Sequence, residues 1–237
     1  MMQVNITQFN VQLYFREPVL DSETLKGMFT GADGFATTSA ATAAAEETGR
    51  GAHPMSGSPS FYRGGFRIAP VQSNVLPFRI LQVMSYPNAL AEPDAETLEC
   101  LRLVSARLEQ GLHVDLGRDI YAVRTVSHSI VTSPDDSPAT SRALSRISGI
   151  ENVPTLAGRY VAHKNPMGAL QLVTRTGNDL VQESWSDIRV SQFGDRSYVV
   201  TIFNETSSLA AALESIRGVK QFVSTLMQEI ELACSCA

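Results

Sequence analysis

Lysine is nearly missing from this chain: of 19 basic residues only Lys26, Lys164 and Lys220 are lysine. Charged residues make up 18% of the sequence and the net charge is −5. Binding to a nucleic-acid backbone needs a basic face that displaces counterions. No run of Lys and Arg supplies one, and Arg63 to Arg67 around Gly64 and Gly65 is too short for an RGG segment. Nucleic-acid partners are therefore not expected. Three cysteines, with Cys234 and Cys236 near the end, do not form a disulfide framework, so a reducing cytoplasm is the expected compartment. No continuous apolar run approaches the length of a membrane span, and the first residues alternate polar and apolar, unlike a leader peptide. Membrane association is not expected either.

Short catalytic signatures are also lacking. There is no nucleophile elbow, no phosphate-cradling glycine loop and no dinucleotide fingerprint. The four histidines, His53, His113, His128 and His163, lack metal-ligand spacing, so neither a metal nor a cofactor is expected. Cys100 sits beside the apolar stripe of a predicted helix, where a thiol acts as a small inert apolar group.

What remains is pattern. Apolar residues are 43% of 237, ordinary for a folded chain. Val4 and Ile6 share one parity, while Phe9, Val11, Leu13 and Phe15 share the other. A strand over 3–16 therefore needs a bulge or break near Thr7 and Gln8. A short helix from Ser22 to Phe29 follows, capped by Asp21 or Ser22. Residues 30–58 hold almost nothing large to bury apart from Phe35 and Met55, and read as a mobile insertion, a lid or a docking arm. Residues 60–69 read as a strand kinked at Gly64 and Gly65, and 76–86 as a strand buried on both faces. A helix then places Leu98, Leu101, Val104, Leu108 and Leu112 on one face, with Asp94 as cap and Gly111 as stop. Another strand spans 119–131.

The polar, proline-broken stretch 132–140 separates an N-terminal half (1–131) from a C-terminal half (141–237). The second half opens with a short helix over 139–148. Strands follow near 156–163, 168–175, 180–192 and 196–204. The chain closes with a helix over 207–232, capped by Ser207 or Ser208. Its apolar stripe runs Leu209, Leu213, Ile216, Val219, Phe222, Val223, Leu226, Ile230. Strands followed by a long helix thus occur twice. The fold class is α+β: mostly antiparallel sheet with long amphipathic helices on one face, in two similar halves that form one domain or two.

The lack of a short catalytic signature leans against an enzyme without deciding it, since unusual catalytic sites carry no short motif. The expected function is a non-catalytic, self-associating interaction or assembly component of a bacterial cytoplasm or a bacteriophage, with a protein or a second copy of itself as partner. The alternative is a small-ligand binder or enzyme with a pocket between sheet and helices. The residues singled out for ligand or interface contact are His128, His163 and four of one parity on one strand: Glu183, Trp185, Asp187 and Arg189. The opposite parity of that strand carries Ser184, Ser186, Ile188 and Val190.

Overall fold

The computed structural model describes residues 2–31, 34–37, 59–71, 79–134, 160–164, 170–174, 184–192 and 197–235. Nine strands are formed there: β1 (Gln3–Phe15), β2 (Phe61–Arg63), β3 (Phe66–Pro70), β4 (Ile80–Ser85), β5 (Ile120–Thr132), β6 (Tyr160–Lys164), β7 (Leu170–Thr174), β8 (Ser184–Gln192) and β9 (Ser197–Thr206). Four helices accompany them: α1 (Ser22–Phe29), α2 (Pro93–Leu112), the single turn α3 (Leu116–Asp119) and α4 (Leu209–Ser235). All strands join one antiparallel sheet in the order β2-β3-β4-β1-β5-β9-β8-β7-β6. The expected α+β class is the one observed. The predicted short helix over 139–148 and most of the insertion 30–58 lie outside the described residues.

The stretch 132–140 does not part the sheet: β5, on its N-terminal side, pairs with β1 on one flank and with β9, on its C-terminal side, on the other. The run from β1 to α2 and the run from β5 to α4 each begin with a long strand and end with a strand that returns to pair with it, followed by a long helix.

The parity switch in β1 is resolved by a bulge. The β1–β5 register runs Ile6↔Ser129 and then Gln8↔His128, which leaves Thr7 as the extra residue. Both Thr7 and Gln8 turn away from the helices, and the Thr7 hydroxyl donates to the His128 carbonyl oxygen at 3.1 Å. Val4 and Ile6 before the bulge then share a buried face with Phe9, Val11, Leu13 and Phe15 after it.

Helices α2 and α4 cover that face. α2 buries Leu101, Val104 and Leu108, with Cys100 beside them. α4 buries Ile216, Val219, Val223, Leu226 and Ile230, with Leu209, Leu213 and Phe222 partly covered. Removing each such aliphatic side chain from water contributes about 1.5–3 kcal/mol. Burial holds the Cys100 thiol up at about 12, so the thiolate is not formed at neutral pH. Phe35 also joins this core, packing 5.1 Å from the Phe29 ring, so the apolar-poor segment around it is tied down at that point.

Three local expectations change. Residues 60–69 form a hairpin rather than a kinked strand, with Gly64 at φ +53 in a two-residue turn between β2 and β3. β4 buries Leu81, Val83 and Ser85 but leaves Ile80, Gln82 and Met84 half-exposed, because among the described residues the long helices α2 and α4 lie on one side of the sheet. α2 begins at Pro93, so Asp94 lies within the first turn, and the Glu92 N–H is taken by the Glu96 carboxylate at 2.8 Å. It also passes Gly111, whose missing side chain leaves room for Met28 of α1. Asp21 caps α1, accepting from the Glu23 and Thr24 amides at 3.0 and 2.8 Å. Those bonds and the Thr24 hydroxyl hold the Asp21 carboxyl below its usual range. The Ser208 hydroxyl oxygen accepts the Ala211 amide at 3.2 Å and caps α4.

α2 ends on His113 in the left-handed region, at φ 53 and ψ 35. A side chain there crowds the following carbonyl, which glycine avoids. His113→Gly is expected to stabilise the protein by about 1 kcal/mol in denaturant unfolding. An unchanged or lower stability would show that the imidazole makes a compensating contact.

Candidate functional site

Strand alternation assigns two sets of side chains to β8. Ser186 and Ile188 point toward α4, while Asp187 and Arg189 point to the opposite face of the sheet. The first set lines a groove of about 390 Å³ between α4 and the β8–β9 pair. Its floor is Ile188 and Ile202, which face each other across the ladder, and Val219 and Phe222 close it from the helix. Ala211, Ser215 and Gly218 also line it, spaced by four and three along α4. Small side chains at those positions keep the helix from filling the space against β8. Gly218 carries the usual cost of glycine inside a helix, about 1 kcal/mol relative to Ala.

A polar wall runs along one side. Ser186 and Asn204 are cross-strand partners, and the Ser186 hydroxyl donates to the Asn204 side-chain oxygen. The Asn204 amide in turn donates to the Ser215 hydroxyl at 2.8 Å. Having accepted that bond, the Ser215 hydroxyl has its own proton to donate. Among the described residues Glu214 is the one charged lining residue, and Arg217 three positions on pairs with it. The groove is thus apolar at its floor, hydrogen-bonding along one wall and close to neutral.

A smaller recess of about 280 Å³ lies beside the β2–β3 turn and the start of α2, lined by Arg63, Glu96 and Glu99 among others. Its charges of both signs favour solvation over ligand burial.

The face of the sheet opposite α2 and α4 carries His128, Asp187 and Arg189 of the residues singled out from sequence. His128, Thr201 and Arg189 stand in one transverse row, which the register continues through Gln171 to His163. Strand spacing puts the His128 backbone roughly 10 Å from that of Arg189 and roughly 19 Å from that of His163. Asp187 is buried and paired with Arg189 at 3.0 Å, and the Arg189 guanidinium lies 4.8 Å over the Phe203 ring. Trp185 stands opposite Glu205, which holds Arg124 at 2.7 Å. Glu183 lies outside the described residues. His128, Asp187 and Arg189 do not line the groove. The residues that do were legible only as the other parity of β8, and their meeting with α4 is tertiary. Among the described residues no group of His, Cys, Asp and Glu could hold a metal ion, and no helix is long and apolar enough to cross a membrane.

Half-burial makes His128 hard to protonate, so its pKa lies below the usual 6.5, while its Nδ1 sits 3.1 Å from the Thr201 hydroxyl. The unfolded chain takes up the proton first as pH falls. His128 therefore costs no stability above pH about 6.5 and lowers it progressively as pH falls from there through its folded-state value. The stability difference between wild type and His128→Gln should shift in the variant's favour from pH 7.5 to pH 5, read by denaturant unfolding. A difference that does not vary with pH would contradict the burial assignment.

No protein-family model matches this chain, and no curated protein matches it. The crystal structure of the di-domain ARO/CYC StfQ from the steffimycin biosynthetic pathway aligns over 99% of this chain and 96% of its own, at 9% identity and a TM-score of 0.22. A likeness at that level establishes neither fold nor function.

Proposed function

We propose that this protein is a non-catalytic binder of a small, neutral, largely apolar molecule carrying a hydrogen-bond acceptor. The observation that supports the reading is the groove between α4 and β8–β9. Its volume of about 390 Å³ falls in the range of small-molecule sites, about 300–1,000 Å³. Ile188, Ile202, Val219 and Phe222 suit an apolar body. Ser215, at the end of the Ser186–Asn204 chain, suits a carbonyl, ether or hydroxyl oxygen. Pairing of Glu214 with Arg217 disfavours a ligand with net charge. Prodan, an uncharged naphthalene ketone whose emission reports its surroundings, has this chemistry. It should bind with saturable, blue-shifted fluorescence. Ser215→Ala should weaken binding about tenfold, the worth of one hydrogen bond of roughly 1–1.5 kcal/mol. No saturable binding to the wild type would sink the proposal.

A second reading, self-association, draws on the face of the sheet opposite α2 and α4. Val126, Ile130, Val199 and Phe203 are half-exposed there across the adjacent strands β5 and β9, and Tyr121 is 47% exposed. Apolar side chains gathered on one face favour a covered surface. Light scattering on the eluting protein should then give a dimer, with Phe203→Asp shifting it to monomer. A monomer at every concentration would remove this reading.

A further inference from the structure

We infer, building on the ligand-binding reading of the groove, that Gly218 sets the size of the molecule this groove accepts. Glycine is a poor helix former, and a conserved backbone geometry or a tight contact is the ordinary reason to find one inside a helix. Neither applies here. The left-handed glycines of the described chain are Gly31, Gly34 and Gly64, and Gly218 is not among them. Close approach explains Gly65, where a side-chain carbon would stand 2.7 Å from Leu90, and Gly111, where it would collide with Met28. At Gly218 an added carbon meets nothing within 4 Å. The space it would enter is the groove, since Gly218 lies on the lining face of α4 between Ser215 and Phe222.

The missing side chain therefore serves the opening rather than the helix. Gly218 is exposed, and its missing side chain leaves the rim of the groove clear beside Ser215, Val219 and Phe222. A rigid neutral body can then cross beneath α4 with its acceptor at Ser215. Any larger residue at 218 narrows that rim without disturbing the packed core on the other side of the helix, where Ile216 and Val223 are buried.

Three full-length variants test this by prodan titration and denaturant unfolding. Gly218→Ala should raise the ratio of folded to unfolded protein roughly fivefold, because alanine restores helix propensity in open space. Its prodan affinity should fall by less than about threefold. Gly218→Phe should retain the wild-type fold by circular dichroism and weaken prodan at least tenfold, and Gly218→Leu serves in its place if the Phe variant does not fold. A lower stability for Gly218→Ala would show that the glycine is structural and overturn the inference. Prodan affinity in a folded Gly218→Phe or Gly218→Leu variant equal to that of the wild type would overturn it while leaving the ligand-binding reading intact. Failure of the wild type to bind prodan would instead remove that reading, and this inference with it.

Discussion

The antiparallel pairing of β1 with β5 is the constraint on which the molecule rests. These are the longest strands, 13 residues each, and they stand at the centre of the sheet. Their ladder joins β2-β3-β4 on one flank to β9-β8-β7-β6 on the other, and without it β1 and β5 would each present an open edge, which invites pairing with other chains. The ladder also decides which side chains face the helices. One inserted residue, Thr7, lets two stretches of opposite parity bury on the same side. Without that bulge, either Val4 and Ile6 or the run from Phe9 to Phe15 would face away from α2 and α4.

The groove follows from how unevenly α4 seals this sheet. Toward β1 and β5 the helix presents Ile216, Val223, Leu226 and Ile230, and the interior is closed. Toward β8 it presents Ala211, Ser215 and Gly218, and the interior stays open. The same helix is thus a core element on one flank and a groove wall on the other. On the reverse side of the sheet the described residues form ion pairs with stacked guanidinium groups. Arg124 holds Glu205 and lies 5.4 Å over the Tyr14 ring, while Arg189 holds Asp187 and covers Phe203. Partly exposed pairs of this kind contribute only about 0.2–1 kcal/mol each.

Local pattern carried the elements well. The apolar stripe from Leu209 to Ile230, the cap at Asp21 and the parity break at Thr7 are each written in a few neighbouring residues, and each appears in the structure where those residues put it. Residues 76–86 misled because their apolar residues are continuous, and continuity does not say that one face stays open. Gly111 misled because a stop signal and a packing requirement look alike in sequence. The site was less legible still. His128, Arg189 and His163 draw attention by their chemistry, and the register sets their backbones in one row roughly 19 Å long. Ser186, Asn204, Ser215 and Gly218 are unremarkable one by one. They become a site only when β8, β9 and α4 converge, and no short-range signal encodes that meeting.

The central claim is that the β1–β5 ladder makes one cooperative structure of both halves. Native-state hydrogen exchange tests it most directly. The central amides of β1, β4, β5 and β9, together with those of the buried turns of α2 and α4, should exchange only through one shared opening, at the free energy of global unfolding. Exchange of β1, β4 and α2 through a cheaper opening that leaves β5, β9 and α4 protected would contradict it, and would make the halves independent units that merely touch.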